Sequence, residues 1–145
     1  KASAVLSSVE KKKIDALTNF GKELGISFQL IDDALDYSGN EEKFGKNIGD
    51  DFKTGKISLP IIFAYRESSP KEKKFWSRVI KDLNQNANDF QQAISLINKY
   101  DGIKKTYQLA KKHSDLAINA LSVFKNNQIK TALIEIAKSS IKRSN

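Results

Sequence analysis

Between Ile14 and Leu35 the apolar and small residues of this chain recur at alternating steps of three and four: Ile14, Leu17, Gly21, Leu24, Phe28, Ile31 and Leu35. That spacing lays them along one stripe of a 3.6-residue helix, so the segment is expected to be a long amphipathic helix. Ser7 and Glu10 stand three apart ahead of the stripe, the spacing of a capping box. Ser38-Gly39-Asn40 supplies the breakers that end the helix near Tyr37. Gly21 and Gly25 each cost a helix about 1 kcal/mol relative to alanine. Their spacing is therefore expected to admit a neighbouring helix or a ligand.

The remainder reads as helical too, with no convincing strand alternation. A short helix is expected from Leu59 to Arg66, with Pro60 near its start. Ser69-Pro70 opens the next, with Phe75, Trp76, Val79, Ile80 and Leu83 facing inward. Asn86 to Tyr100 is a further helix carrying Phe90, Ile94 and Ile97, broken at Asp101-Gly102. Ile103, Tyr107, Ala110, Ala117, Leu121 and Phe124 mark another stripe; Ile129, Leu133, Ile136 and Ile141 mark the last. The expected fold class is all-α, with residues 1–145 forming one helical domain.

The first helix ends unusually. Asp32 and Asp33 lie four and three residues before Asp36 in a stretch that otherwise reads as buried. Like charges at this spacing destabilise an isolated helix by roughly 0.2–0.5 kcal/mol per pair, and burial raises the cost. A helix C-terminus is also where the macrodipole disfavours acids. A cation between the carboxylates removes both objections. An all-oxygen cluster suits a hard divalent ion such as Mg²⁺, held by one or two carboxylates together with substrate phosphates.

Residues 38–56 follow as the only long irregular stretch, and they hold four of the chain's 7 glycines: Gly39, Gly45, Gly49 and Gly55. Lys46 and Lys56 each follow one of these glycines. Glycine lets backbone approach a ligand, and lysine is a mobile point charge suited to phosphate. Carboxylates for a metal and lysines for phosphate make a coherent metal–diphosphate site. The spacing is not that of a P-loop. Asp50 and Asp51 are expected to act as structural loop caps, with a distant metal contact as the alternative.

These residues carry a resemblance. Gly21-x-x-x-Gly25-x-x-Phe28-Gln29-x-x-Asp32-Asp33-x-x-Asp36 resembles the second aspartate-rich motif of the trans-polyprenyl diphosphate synthases. Gly45-Lys46-Asn47-Ile48-Gly49-Asp50-Asp51-Phe52-Lys53-Thr54-Gly55-Lys56-Ile57-Ser58-Leu59-Pro60 resembles the loop that follows it, with Ser58 where the family usually has Thr. The match is strong over residues 7–67 and looser beyond. The wording is most like long-chain bacterial members of octaprenyl or decaprenyl type, which make quinone side chains such as that of ubiquinone.

The resemblance implies the C-terminal half of an isoprenoid synthase helical bundle. It implies a Mg²⁺-dependent prenyltransferase that condenses isopentenyl diphosphate onto an allylic prenyl diphosphate. Asp32, Asp33 and Asp36 would bind the metal, Lys46 and Lys56 the leaving diphosphate, and Phe28 and Gln29 the isopentenyl side. The first aspartate-rich motif and an upstream arginine pair of the family are not found in these 145 residues. The chain is therefore expected to be a portion of a synthase, inactive alone. The full-length protein is expected to be a cytoplasmic homodimer.

Composition sets limits. With Cys 0, disulfides and thiolate catalysis are excluded. No run of about 18 apolar residues exists to form a transmembrane helix. The formal charge is +8, yet residues 29–51 hold seven of the 17 acids against Lys43 and Lys46. An acidic site on a basic body suits a metal-chelated polyphosphate. A nucleic-acid role is not expected, because the aromatics fall on apolar stripes rather than among exposed basic residues. His113 stands alone and is expected to pack or face solvent; Phe75 and Trp76 are expected in the core. The alternative function is a non-catalytic helical subunit or module of a split or heteromeric synthase. A terpene cyclase fits the loop less well.

Overall fold

This computed structural model describes residues 10–38 and 49–142, and every regular element among them is helical. In chain order the α-helices among them are α1 (Lys11–Leu35), α2 (Asp50–Lys53), α3 (Leu59–Glu67), α4 (Pro70–Trp76), α5 (Asp89–Lys99), α6 (Gly102–Ala120) and α7 (Gln128–Lys142), with a π-helical segment at Ser77–Lys81 and a 3-10 turn at Leu121–Val123. The chain divides into two compact units, Lys1–Ile31 with Gln108–Asn145, and Asp32–Tyr107.

The first unit closes on Phe20, Ala117, Leu121 and Ala137. Small buried residues bring its helices close. Ser27 Oγ donates to the Ala110 carbonyl at 2.9 Å, and Ser114 Oγ donates to the Ala137 carbonyl at 2.9 Å. His113 Nδ1 lies 2.6 Å from Glu23 Oε2, tying α6 to α1. The buried face of α1 is rotated from the expected stripe. Ala16, Phe20, Ser27, Leu30, Ile31 and Ala34 are buried, whereas Phe28 is 46 % exposed. Gly21 and Gly25 face open space, and a Cβ on either would meet nothing within 4 Å among the described residues. Ser27 and Ala110 make the close approach expected of the glycines. In α7, Ile129 and Ile136 are exposed where the period put them inward, while Ala137 and Ser140 are buried. Periodicity locates an apolar stripe only to within a residue's rotation, and packing against small partners decides its centre. The capping box lies partly outside the described residues, because Ser7 does.

The second unit is built around Tyr37, Phe52, Ile61, Phe75, Trp76, Val79 and Ile97. The α4 start carries a complete capping box: Ser69 Oγ accepts from the Glu72 N–H, and the Glu72 carboxylate accepts from the Ser69 N–H. Trp76 Nε1 donates to Ser68 Oγ at 3.1 Å, which itself donates to the Ala64 carbonyl. The indole is thus satisfied inside the core. Helix α4 continues as a π-helical turn, Ser77–Lys81, and the chain leaves it through Leu83 at φ 50. That left-handed exit turns Leu83 outward, to 55 % exposure, against its expected place in the core. Helix α5 begins at Asp89 rather than Asn86. The Asp89 carboxylate is buried and takes both Arg78 guanidinium nitrogens, at 2.7 and 2.8 Å, and the Asn86 N–H. Asp101 at φ 55 ends α5, and α6 starts at Gly102 directly against α3, where a Cβ would stand 2.6 Å from the Pro60 carbonyl oxygen.

Candidate functional site

Helix α1 delivers Asp32 and Asp33 in its last turn, and Asp36 stands in the turn just beyond. Asp33 is buried; Asp32 and Asp36 are half-buried. What faces Asp36 is the start of α2. The Asp51 N–H donates to Asp36 Oδ2 at 3.1 Å, and the Gly49 N–H donates to the Asp36 carbonyl at 3.0 Å. Gly49 makes this possible with φ 81, a left-handed conformation that side chains resist. Its Cα also lies against the Phe90 ring, where a Cβ would come within 2.5 Å of Cε2. The expected role of this glycine was ligand access; its observed role is to aim α2 at Asp36. Gly39 and Gly45 lie outside the described residues.

Helix α2 itself departs from the expectation of an irregular stretch over 38–56. Four residues coil because Asp50 and Asp51 occupy a first turn, where the macrodipole favours acids, and Phe52 is buried. Phe52 packs on Phe90 with ring centroids 5.6 Å apart, and the Gln85 amide donates to the Phe52 carbonyl at 2.8 Å. This docking fixes the position of Asp51.

Lys56 completes the cluster. Its ammonium donates to Asp51 Oδ2 at 2.8 Å and to Asp33 Oδ1 at 3.2 Å. The hydrogen bond to Asp51, ahead of that to Asp33, holds the ammonium above its ordinary pKa. Asp36 is also raised, first by burial and then by the neighbouring Asp51 charge. The structure thus brings together Asp33, Asp36 and Lys56 and adds Asp51, which sequence reasoning left as a cap. The sequence predicts an irregular loop here, so neither the helix start at Asp51 nor its use as an acceptor for Lys56, five residues on, follows from it. Asp50 is exposed and pairs with Lys53. Phe28 and Gln29 are exposed on α1. Lys46 lies outside the described residues.

Beside the cluster, the Tyr37 hydroxyl and Ser58 Oγ are buried, and neither completes a well-formed hydrogen bond among the described residues. Burial pushes the Tyr37 phenol above its ordinary range, with Ser58 acting in the opposite sense. Among the described residues no three acidic or histidine side chains converge to hold a metal ion. An apolar groove of about 500 Å³ lies between α3 and α4, lined by Ile57, Ile61, Tyr65, Trp76 and Ile80. It contains none of the acidic cluster. No helix among the described residues is long and apolar enough to cross a membrane.

The helical fold is that of the prenyl synthases. A polyprenyl synthase from Caulobacter crescentus CB15, solved with calcium and isoprenyl diphosphate, superposes with a TM-score of 0.90 at 42% identity, covering 99% of this chain and 44% of that one. A decaprenyl diphosphate synthase from Rhodobacter capsulatus superposes with a TM-score of 0.92 at 31% identity, over 99% of this chain and 44% of its own. In sequence, the probable mitochondrial hexaprenyl pyrophosphate synthase of Neurospora crassa is 34% identical over 144 residues, 99% of this chain and 31% of that protein. The polyprenyl synthetase family model matches residues 1–97, and the chain belongs to that family. It spans less than half the length of these relatives.

Proposed function

We propose that this chain forms the diphosphate- and metal-binding part of a Mg²⁺-dependent cytoplasmic prenyltransferase. The enzyme condenses isopentenyl diphosphate onto an allylic prenyl diphosphate, in the biosynthesis of isoprenoid quinone side chains. The observation that carries this reading is the junction of Asp33, Asp36, Asp51 and Lys56 at the end of α1 in a member of the polyprenyl synthetase family. The Caulobacter relative's complex with calcium and isoprenyl diphosphate supports it.

The donor set fits a hard divalent cation. It offers carboxylate oxygens only, and Mg²⁺ is usually held by one or two carboxylates with the remaining positions filled by water and substrate phosphate. Among the described residues no three acids converge on one point, so Asp32, Asp33 and Asp36 would supply those one or two carboxylates, and the ion when bound would supply positive charge at the diphosphate oxygens. Lys56, and Lys46 with it, neutralise the diphosphate as the allylic C–O bond lengthens. Fixed cations placed where charge develops lower such a barrier. Phe28 and Gln29 line the isopentenyl side. No protein nucleophile enters: the diphosphate departs with the C–O electron pair, the isopentenyl double bond supplies the pair for the new C–C bond, and loss of a proton from the isopentenyl unit restores a double bond.

The test is Asp32→Ala in the full-length protein, assayed by incorporation of labelled isopentenyl diphosphate. Turnover is expected to fall by about a hundredfold or more with an unchanged melting curve. Unchanged turnover refutes the site.

The alternative is a non-catalytic helical subunit or module of a split or heteromeric synthase, where the first reading has a full-length homodimer. The isolated 145 residues are expected to be inactive in both cases. Restoration of turnover by a separately made N-terminal portion selects the heteromer.

A further inference from the structure

The acidic cluster already holds a cation of its own. Lys56 Nζ sits between Asp51 Oδ2 at 2.8 Å and Asp33 Oδ1 at 3.2 Å. The two carboxylates have lost most of their water, at 10% side-chain exposure for Asp33 and 19% for Asp51, whereas the Lys56 side chain is 48% exposed. The backbone at Lys56 is pinned, its N–H donating to the Asp51 carbonyl at 2.8 Å. The ammonium is therefore the movable part of a fixed residue.

We propose that Lys56 is an intrinsic counter-ion that makes this site select a metal–diphosphate complex over the bare metal. The inference rests on the metal–diphosphate reading above. A bare divalent ion approaching Asp33 meets the ammonium there. It must either accept a like charge a few ångströms away or expel Lys56 from two carboxylates into water. A divalent ion carrying diphosphate meets a different balance. The four-carbon stem of Lys56 is flexible, and its half-exposed position lets it swing without repacking the core. It then exchanges carboxylate oxygens for phosphate oxygens, one set of charge-assisted hydrogen bonds for another. The penalty falls on the metal arriving alone. A lysine that served only to bind diphosphate would leave bare-metal affinity untouched. The opposite sign of the two effects separates the roles.

The experiment is a titration of the purified protein with Mn²⁺, an EPR-visible stand-in for Mg²⁺, with and without inorganic diphosphate. The parent, Lys56→Gln and Lys56→Arg are compared. Lys56→Gln is expected to bind Mn²⁺ alone roughly three- to tenfold more tightly than the parent, the scale of losing an ion pair at a partly exposed site. Its affinity for Mn²⁺ with diphosphate is expected to fall. Lys56→Arg keeps the charge and is expected to stay near the parent for Mn²⁺ alone. Equal or weaker binding of bare Mn²⁺ by Lys56→Gln, with its thermal melt intact, overturns the inference and leaves the site reading standing. An equal gain in Lys56→Arg also overturns it, because charge would not be the cause. A parent that binds Mn²⁺ neither alone nor with diphosphate overturns both.

Discussion

At the scale of single residues, Asp36 shows that this cluster is held against its own electrostatics. Burial and the Asp51 charge raise its carboxyl above the ordinary 3.8. The folded state therefore binds the proton more tightly than the unfolded chain. The stability linked to this group is fully present below pH 3.8 and is lost as pH rises through the folded value. Asp36→Asn keeps an oxygen to accept the Asp51 N–H and removes the charge. It is expected to melt above the parent at neutral pH, with the difference closing as pH falls below 3.8. A variant that melts lower at neutral pH would show the carboxylate to be stabilising. Such a trade of stability for charge is common where a site must receive a cation. The acids themselves were legible in the chain, since three aspartates at a helix C-terminus contradict the macrodipole. The contribution of Asp51 was not, because an acid read as a loop cap already has a sufficient local reason to be there.

At the scale of elements, glycine separates two kinds of helix surface. At Gly102 a Cβ would stand 2.6 Å from the Pro60 carbonyl and 3.1 Å from Ile97 Cγ2. Overpacking of that kind costs about 1–3 kcal/mol, more than the ~1 kcal/mol of helix propensity gained. Gly102→Ala is accordingly expected to lower the urea midpoint. Gly21 and Gly25 face open space, so alanine at either is expected to raise stability by about 0.5–1 kcal/mol. A loss at Gly21 or Gly25 would reveal a surface packed by residues beyond those described. Helix existence was readable from period and punctuation: Ser69-Pro70 opens α4 and Asp101-Gly102 separates α5 from α6 as expected. The rotation of α1 and α7 was not readable, because Ser27, Ala110, Ser114 and Ala137 make the close contacts and carry little hydrophobic signal.

At the scale of the whole molecule, each unit is tied by a few long-range polar contacts over its apolar core. In the second unit the Glu72 carboxylate receives Lys99 Nζ at 2.7 Å and the Tyr100 hydroxyl at 2.8 Å, joining the start of α4 to the end of α5. Lys99 foremost, then the hydrogen bonds from Ser69 and last that from Tyr100, hold its pKa down to about 2 from an ordinary 4.5. Its contribution is therefore present above pH 4.5 and is lost as pH falls toward 2. Melting of the parent is expected to drop through that interval, and Glu72→Gln to show a shallower drop from a lower starting point. Identical acid profiles would show that the pair is not coupled to folding.

The sequence by itself determined the helical class, the order of the longer helices and the family, and it singled out Asp33, Asp36 and Lys56 before their contacts were known. Each of these is written in local spacing, which a 3.6-residue period and a few turn residues translate directly into geometry. Only the tertiary structure decided that Asp51 faces Asp36, that Lys56 bridges two carboxylates, and that Asp89 is buried on Arg78. Those are contacts between residues 5 to 23 positions apart in the chain. Their energies depend on burial and orientation set by the packing of α2, α4 and α5, and local spacing carries no record of either.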